Sequence, residues 1–120
     1  IPYIDGTCIY LPGLVEQTGA GFVMVNGENA SGGLGLRAVE ADALLEWGAS
    51  VITSGNHIWD KRELIPELDG EPRILRPLNY GSVPGHGWGT FHAADGTEVA
   101  VVNAQGRSTI ASLFFVGARA

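Results

Sequence analysis

Residues 51–57 read Val-Ile-Thr-Ser-Gly-Asn-His, and residues 22–28 read Phe-Val-Met-Val-Asn-Gly-Glu. Both are short apolar runs, rich in β-branched side chains, that stop at a glycine beside an amide, a carboxylate or an imidazole. Such runs are typical of strands that are covered on both faces of a parallel sheet. Because ligands of open α/β sheets bind beyond the carboxyl ends of parallel strands, the two stretches predict both a fold and the position of a site.

A helical pattern lies between the two predicted strands. Apolar side chains recur at the spacing of one helix face at Leu36, Val39, Ala43, Leu44 and Trp47. Gly48 follows as a natural C-terminal stop. Strand, helix and strand form a βαβ unit, in which the two strands are parallel. The sequence therefore predicts an α/β fold, a layered sheet with flanking helices.

The middle of the chain predicts a short helix, a third strand and a loop. Asp60 and Glu63 have the spacing of a capping box, which predicts a helix that begins at Asp60. Residues 73–76 have strand character, and residues 77–89 are rich in glycine and proline, as expected for a long surface loop.

The C-terminal part of the chain predicts a β-hairpin. Residues 89–94 and 98–103 flank Asp95-Gly96, a dipeptide that favours the tight turn between antiparallel strands. At 120 residues, the chain suits one domain, 1–120, with a modest core. It begins at Ile1 without a methionine, and we expect a processed piece or a fragment of a longer protein.

Composition narrows the classes of protein. Hydrophobic residues make up 45% of the chain and charged residues only 17%, which is typical of a globular protein. The net charge of −6 argues against a basic groove for DNA, although bound metal ions could balance a small phosphate ester. No apolar run is long enough for a membrane span, and Cys8 is alone, so we expect a soluble, cytoplasmic protein without an internal disulfide.

Glu28 and Asn29 follow the first strand and have two interpretations. A carboxylate can bridge two metal ions, and a carboxamide oxygen adds a ligand without further negative charge. Alternatively, the segment is an exposed turn in which Asn29 or Ser31 caps the next helix.

Asn56 and His57 follow the second strand. Asn56 could ligate a metal through its side-chain oxygen, while His57 could donate a proton to a leaving oxygen, because imidazole titrates near neutral pH. The alternative is a loop histidine that bonds only to backbone. The contexts of His86, in the glycine-rich loop, and His92, in a predicted strand, indicate structural or solvent-facing roles.

Two further patterns remain open. Four predicted strands end near an asparagine, namely Asn26, Asn56, Asn79 and Asn103, and asparagine is also a common turn residue. Residues 33–38 fit a dinucleotide-binding fingerprint, although they lie far from the end of the first strand. Gly33 and Gly35 then either approach a nucleotide or let the backbone turn beside the site.

Four motifs together resemble a known family. They are residues 25–33 (Val-Asn-Gly-Glu-Asn-Ala-Ser-Gly-Gly), 53–61 (Thr-Ser-Gly-Asn-His-Ile-Trp-Asp-Lys), 76–80 (Arg-Pro-Leu-Asn-Tyr) and 102–107 (Val-Asn-Ala-Gln-Gly-Arg). In this order, over about residues 11–107, they resemble the YmdB-like family of the calcineurin-like metallophosphoesterase superfamily.

The resemblance implies a phosphodiesterase with two metal ions (Fe, Mn or Mg) in a partial calcineurin-like sandwich, acting on cyclic nucleotides such as 2′,3′-cyclic nucleoside monophosphates. By the same resemblance, Glu28 bridges the metals, Asn29 and Asn56 ligate a metal or contact phosphate, and His57 is the proton donor. Two-metal hydrolysis fits such a set, since the ions stabilise both the attacking and the leaving oxygens.

The ends of the chain depart from the family. Its first strand carries a metal-binding aspartate, and although Ile4-Asp5-Gly6 looks superficially similar, Asp5 is too close to Phe22 for the usual crossover helix. We therefore expect residues 1–10 and 108–120 to fall outside the match. A few ligands on loops hold two metals weakly, and open sheet edges favour association. The alternative is thus an inactive fragment that acts only as a binding or interaction domain, with homo-oligomers possible in either case.

Overall fold

Two three-stranded sheets organise the chain. The computed structural model of the protein describes residues 7–106 and 112–119, with side chains described for residues 11–106. In chain order the helices and strands are α1 (Thr7–Thr18), β1 (Met24–Asn26), α2 (Ala38–Glu46), β2 (Val51–Thr53), α3 (Ile65–Leu68), β3 (Ile74–Leu75), β4 (Trp88–His92), β5 (Glu98–Gln105) and β6 (Ser112–Arg119). Single turns of 3₁₀ helix lie at Asn56–Trp59, Arg62–Leu64 and Leu78–Tyr80.

The first sheet is parallel, in the order β1-β2-β3. Val25 pairs with Ile52, and Ile52 pairs with Ile74, so the three carboxyl ends lie at one edge. The helix α2 crosses between β1 and β2, which confirms the predicted βαβ unit. The prediction of an α/β fold with a parallel sheet and flanking helices is therefore confirmed.

The faces of this sheet pack on different layers. Ile52 and Ile74 join the core with α2, where Leu44 is buried. Their neighbours Val51 and Leu75 join a second core with apolar residues of β5. Consecutive side chains of a strand point to opposite faces, so the apolar runs of β2 and β3 place apolar side chains on both faces of the sheet, and each face is covered by a different layer.

Strand β1 differs from the expectation of cover on both faces. Met24 is 38% exposed, and Asn26 is also exposed. The reason is its position, since β1 is the outer strand of the parallel sheet in the described part of the chain and pairs only with β2.

The buried face of α2 is also displaced from the predicted one. Val39, expected in the core, is 50% exposed, whereas Glu40 is 2% exposed. The carboxylate of Glu40 accepts hydrogen bonds from the backbone and guanidinium of Arg37 at the start of the helix. The end of α2 is as expected, because Gly48 follows it with a φ of +121°.

The predicted helix start at Asp60 is wrong. Asp60 instead follows the 3₁₀ turn Asn56–Trp59, and α3 begins only at Ile65. The carboxylate of Asp60 bonds to a side chain of the preceding turn rather than to the backbone of a following helix. The spacing of a capping box was present without its geometry.

The segment after β3 is more ordered than a simple surface loop. The buried guanidinium of Arg76 donates hydrogen bonds to the backbone carbonyls of Pro77, Leu78, Val83, Pro84 and Gly85. The backbone of His86 also pairs with Leu75. Residues 77–87 are therefore wrapped around one buried cation.

The second sheet is antiparallel, in the order β4-β5-β6. Gly89 pairs with Val101, and the turn at Asp95 and Gly96 closes with Ala93 bonded to Thr97, so the predicted hairpin is confirmed. In the described ranges, no helix is both long and apolar enough to cross a lipid bilayer.

Candidate functional site

The segment after β2, residues 54–60, is rigidly placed; we call it the β2 loop. Its Ile58 is fully buried in the core, and Ser54 Oγ donates to the carbonyl of Leu75 on the neighbouring strand. The side-chain oxygen Oδ1 of Asn56 is buried and has no hydrogen-bond partner among the described residues. Because an unpaired buried acceptor costs free energy, this oxygen is placed for a donor or a cation that the described residues do not supply.

The segment after β1, residues 27–37, is a closed loop; we call it the β1 loop. Gly35 N donates to the carbonyl of Glu28 at 2.6 Å, and Ser31 N donates to the carbonyl of Gly35 at 2.8 Å. Glu28 N donates to Oδ1 of Asn26 at 2.9 Å, so Asn26 serves the turn and not the site. Asn29 is exposed.

The two loops touch at glycines. The carboxylate of Glu28 lies against Gly55, where an added Cβ would overlap it. Gly35, with a φ of +76°, faces the β2 loop, and a Cβ there would lie 2.6 Å from the carbonyl oxygen of His57. Glycine at both positions therefore allows Glu28 to lie directly beside the residue that precedes Asn56.

The imidazole of His57 is oriented by a carboxylate. Its Nδ1 lies 2.8 Å from Oδ2 of Asp60, three residues further along the turn. Both side chains are partly exposed, at 29% for His57 and 43% for Asp60. A bond at Nδ1 leaves Nε2 as the nitrogen that is available for proton transfer. The sequence did not identify this role of Asp60, because its spacing to Glu63 resembled a capping box.

The remaining strand-end asparagines are cross-links, not turn formers. Asn79 donates to the carbonyl of Gln105 at 2.7 Å and accepts from its N–H at 3.0 Å. Asn103, fully buried, donates to the carbonyls of Ser54 and Leu75, and so ties β5 to the ends of β2 and β3. Its Oδ1, like that of Asn56, lacks a partner among the described residues.

Tyr80 is a neighbour of the site that sequence reasoning did not single out. Its ring meets Trp59 edge-on, with centroids 5.7 Å apart, and its hydroxyl donates to Oε1 of Gln105 at 2.8 Å. Burial raises the pKa of Tyr80 most, Trp59 opposes that change, and the negative charge of Glu28 raises the pKa further. The available signal was the position of Tyr80 and Gln105 inside two of the four motifs.

The other histidines lie apart from these contacts. Nε2 of His86 lies 3.0 Å from the carbonyl of Asp69, which is a structural role. His92 is exposed on β4, as its alternation with Phe91 predicts.

The donor set fits a metal site only in part. The carboxylate of Glu28 and the orphan oxygen of Asn56 are ligands of the kind that hard cations prefer. Asn29 shares the β1 loop but is exposed, and no group of three or more His, Cys, Asp or Glu side chains suited to a metal ion occurs within the described residues. Asp5, which resembles the end of a metal-binding strand, lies outside the described residues.

Gly33 and Gly35, the glycines of the dinucleotide-binding fingerprint, let the backbone turn, which is the second of the two roles predicted for them. Gly33 and Gly35 both have positive φ and lie inside the β1 loop, well separated from the end of β1 at Asn26. The tight strand-to-helix turn that holds a pyrophosphate is therefore absent here. The glycines shape the loop that carries Glu28.

Comparison with known proteins identifies relatives. The sequence profile described as "YmdB-like protein" matches residues 5–115. The chain is 41% identical over 105 residues to a Bacillus subtilis protein named 2′,3′-cyclic-nucleotide 2′-phosphodiesterase, covering 87% of this chain and 39% of that protein. It is 37% identical over 60 residues to a putative phosphatase/phosphodiesterase of Mycoplasma pneumoniae, covering 50% of this chain and 21% of that protein.

Solved structures share the fold. A hypothetical protein from Thermus thermophilus superposes with a TM-score of 0.76 at 32% identity, covering 86% of this chain and 40% of that one. A protein described as a novel phosphatase from Mycoplasma pneumoniae gives 0.73 at 26% identity, covering 89% and 41%.

The extent of the match corrects the predicted limits of the family resemblance and confirms the family itself. Residues 5–10 and 108–115 were expected to fall outside the family, because they carry none of the four motifs, yet the profile includes them. The chain spans about two fifths of the length of the Bacillus subtilis and Thermus thermophilus relatives. With nearly its whole length matched, the chain belongs to the YmdB-like family.

Proposed function

We propose that this chain carries part of the active centre of a phosphodiesterase that hydrolyses 2′,3′-cyclic nucleoside monophosphates. The observation that supports this most is the buried, unpartnered Oδ1 of Asn56 next to the glycine on which the Glu28 carboxylate rests. A relative at 41% identity is named for this activity. The two sheets would then be part of a calcineurin-like sandwich within a cytoplasmic enzyme whose domain includes residues 1–120.

Glu28, Asn56 and Asn29 would hold metal ions, either Fe, Mn or Mg, in this proposal. Two such ions would supply the positive charge that a phosphodiester needs and activate water near neutral pH. The position of the Glu28 carboxylate at the junction of the β1 and β2 loops supports a role as a metal ligand shared between the two loops. Asn56 adds a neutral oxygen, which limits the negative charge beside an anionic substrate.

His57 would protonate the leaving oxygen. Asp60 accepts a hydrogen bond from Nδ1–H, so that in the protonated imidazole the second N–H, at Nε2, is the one that reaches the substrate. Attack of water on phosphorus would form the new P–O bond while the ester bond to the leaving oxygen breaks; the leaving oxygen takes the proton of His57, which is left neutral, and the proton lost by the water goes to solvent. The hydrogen bond to Asp60 holds the imidazole in the orientation that this step would require.

The proton-donor role is tested by comparing turnover with metal content. His57→Ala should lower kcat for 2′,3′-cyclic AMP by about 10²–10⁴-fold, the usual contribution of general acid catalysis, and leave bound metal unchanged. His92→Ala is the matched control, because His92 is exposed on β4 and remote from both loops. Parallel loss of metal and turnover in His57→Ala would contradict a role restricted to proton transfer.

Metal content of the purified 120-residue chain separates this function from the alternative. After growth with manganese and iron, about two ions per chain would support a complete site, with missing ligands supplied by another copy. Metal-free protein without phosphodiesterase activity would favour the binding or interaction domain. The exposed outer strand β1 supports that second candidate, since an unpaired strand edge is a template for association.

A further inference from the structure

A cavity of about 290 Å³ opens beside the two loops. Its described lining consists of Asn79, Tyr80, Gln105 and Gly106. We propose that this cavity, which we call the amide pocket, binds the nucleobase of the substrate through the side-chain amide of Gln105 and the ring of Tyr80. The proposal rests on the proposed function for its substrate class, and it assigns the part of the nucleotide that the phosphate chemistry does not touch.

The amide pocket adjoins the proposed reaction centre. Tyr80 contacts Trp59 with ring centroids 5.7 Å apart, and Trp59 ends the 3₁₀ turn that carries Asn56 and His57. The charge of Glu28 also reaches the Tyr80 hydroxyl, whose pKa it raises. A group that fills the pocket would therefore contact a ring that packs on the turn carrying the residues proposed to act on the phosphate.

The hydrogen bonds of the pocket leave a donor free. Oε1 of Gln105 already accepts from the Tyr80 hydroxyl at 2.8 Å. Its Nε2 carries two N–H donors, and no hydrogen bond from it occurs within the described residues. A ligand must therefore offer an acceptor to Gln105, and every nucleobase presents a ring nitrogen or a carbonyl oxygen on its edge.

The wall of the pocket is held in place. The amide of Asn79 is committed to the backbone of Gln105, at 2.7 Å and 3.0 Å, so the segment Leu78–Tyr80 is fastened to β5 on two sides. The carbonyl of Leu78 also accepts a hydrogen bond from the buried guanidinium of Arg76. A wall that is fixed in advance reduces the ordering cost of binding.

Size and charge favour a base over other parts of a nucleotide. The volume of about 290 Å³ lies near the lower end of small-molecule sites, which begin at roughly 300 Å³, and so suits one ring system. None of the described lining residues is charged, so this described wall offers a phosphate no cation. An aromatic ring beside a primary amide offers the stacking and the edge contact that bases use.

The first test measures nucleoside binding without metal or hydrolysis. The ¹⁵N-labelled 120-residue chain is titrated with adenosine and with uridine, and the side-chain amide signals of its two glutamines are followed. Gln105 should shift in a saturable manner, whereas Gln17, exposed on α1, should not. Unchanged Gln105 signals up to millimolar nucleoside, or equal shifts with ribose 5-phosphate, would overturn the proposal.

A conservative variant isolates the donor. Gln105→Glu keeps an oxygen for the Tyr80 hydroxyl, replaces the N–H donors with a second acceptor oxygen and adds a negative charge, so nucleoside affinity should fall about tenfold. Tyr80→Ala should weaken binding by about tenfold or more through lost stacking. Gln17→Glu carries the same charge change away from the pocket, and an equal loss of affinity in this control would contradict the assignment. Should the variants not fold, the titration of the unaltered chain still decides the matter.

Kinetics distinguish failure of the pocket from failure of the proposed function. In a hydrolytically active chain, Gln105→Glu should raise KM for 2′,3′-cyclic AMP about tenfold more than it raises KM for bis(4-nitrophenyl) phosphate, which has no base. Equal effects on both substrates would refute base recognition while hydrolysis stands. Nucleoside binding in a chain that hydrolyses neither substrate would refute the enzymatic function and support the pocket.

Discussion

The β1 loop and the β2 loop begin alike in sequence and differ in how they are held. Each follows an apolar strand and continues through a glycine to an asparagine. The β2 loop inserts Ile58 into the core and presents a buried amide oxygen at Asn56. The β1 loop enters the core only near its end, at the fully buried Leu36; before that it is closed by its own backbone hydrogen bonds, and both Leu34 and Asn29 face solvent.

The difference shows that a strand end places a residue without preorganising it. Asn56 is held in place because Ile58, two residues further along, is a core residue, so its oxygen is positioned before any ligand binds. Leu36 anchors the end of the β1 loop in the same core, whereas Glu28, near its start, lies against Gly55 of the other loop. The stretch of the β1 loop around Glu28 thus depends on the β2 loop for its position, and substitutions should have unequal effects in the two.

The largest difference in the free energy of unfolding should arise between truncation of Ile58 in the β2 loop and truncation of Leu34 in the β1 loop. Ile58→Ala should lower the free energy of unfolding by about 2–5 kcal/mol, because it removes a fully buried side chain and leaves a cavity. Leu34→Ala, at a side chain that is 49% exposed, should change it by less than about 0.5 kcal/mol. Urea denaturation measures both, and similar losses would break the comparison.

The junction of the loops should be the next most sensitive point. Gly55→Ala forces a methyl group into the space of the Glu28 carboxylate, which should cost about 1–3 kcal/mol and displace the β1 loop. Gly13→Ala is the control, since nothing lies near its added Cβ and it is in helix α1, where alanine should stabilise by about 0.5–1 kcal/mol. Thermal unfolding of both variants checks the opposite signs.

Substitutions of Asn56 and of Asn29 should differ in their effect on the increase in Tm that added metal produces. Asn56→Ala removes a buried acceptor without a partner, so the metal-free chain should be unchanged or up to about 1 kcal/mol more stable. The increase in Tm that Mn²⁺ gives to the unaltered chain should then be lost, whereas Asn29→Ala should retain most of it. An equal loss in the two variants, measured before and after EDTA, would assign the ligands equally to both loops.

The smallest stability effect is expected at Asp60. Asp60→Asn weakens a partly exposed pair with His57, so the free energy of unfolding should change by less than about 0.5 kcal/mol. Turnover should nevertheless fall, because an amide can present either its oxygen or its NH₂ group to Nδ1 and therefore no longer fixes the orientation and tautomer of the imidazole. Asp42→Asn, at an exposed position of α2, is the matched control. Unchanged turnover in Asp60→Asn would show that the carboxylate does not serve His57.

The fold was predictable where a repeating pattern meets a strong turn signal. Burial on both faces of β2 and β3, the stop at Gly48 and the turn at Asp95 and Gly96 follow from unbroken apolar runs and from backbone freedom. The exposure of Val39 was not predictable, because the burial of Glu40 depends on a local pair with Arg37 that no apolar pattern records.

The positions of the candidate site residues were predictable from the sequence, but their hydrogen-bond partners were not. The sequence placed Glu28, Asn56 and His57 at the carboxyl ends of the strands, and the structure brings their two loops together. The partners Asp60 and Gln105 were missed, because Asp60 carried a competing helix signal and Gln105 acts from a distant strand. Long-range bonds to backbone, such as those of Asn79 and Asn103, leave no trace in local sequence.

The guanidinium of Arg76 has a consequence for the order in which substrate and metal would bind in the proposed function. It provides the segment after β3 with a permanent covalent cation, bonded to five carbonyls, so the wall at Leu78–Tyr80 does not depend on dissolved ions. In the proposed function, chelation of the metal ions would leave that wall in place. A nucleotide would then bind at the wall whether or not the metal ions are bound, so that substrate and metal add in random order.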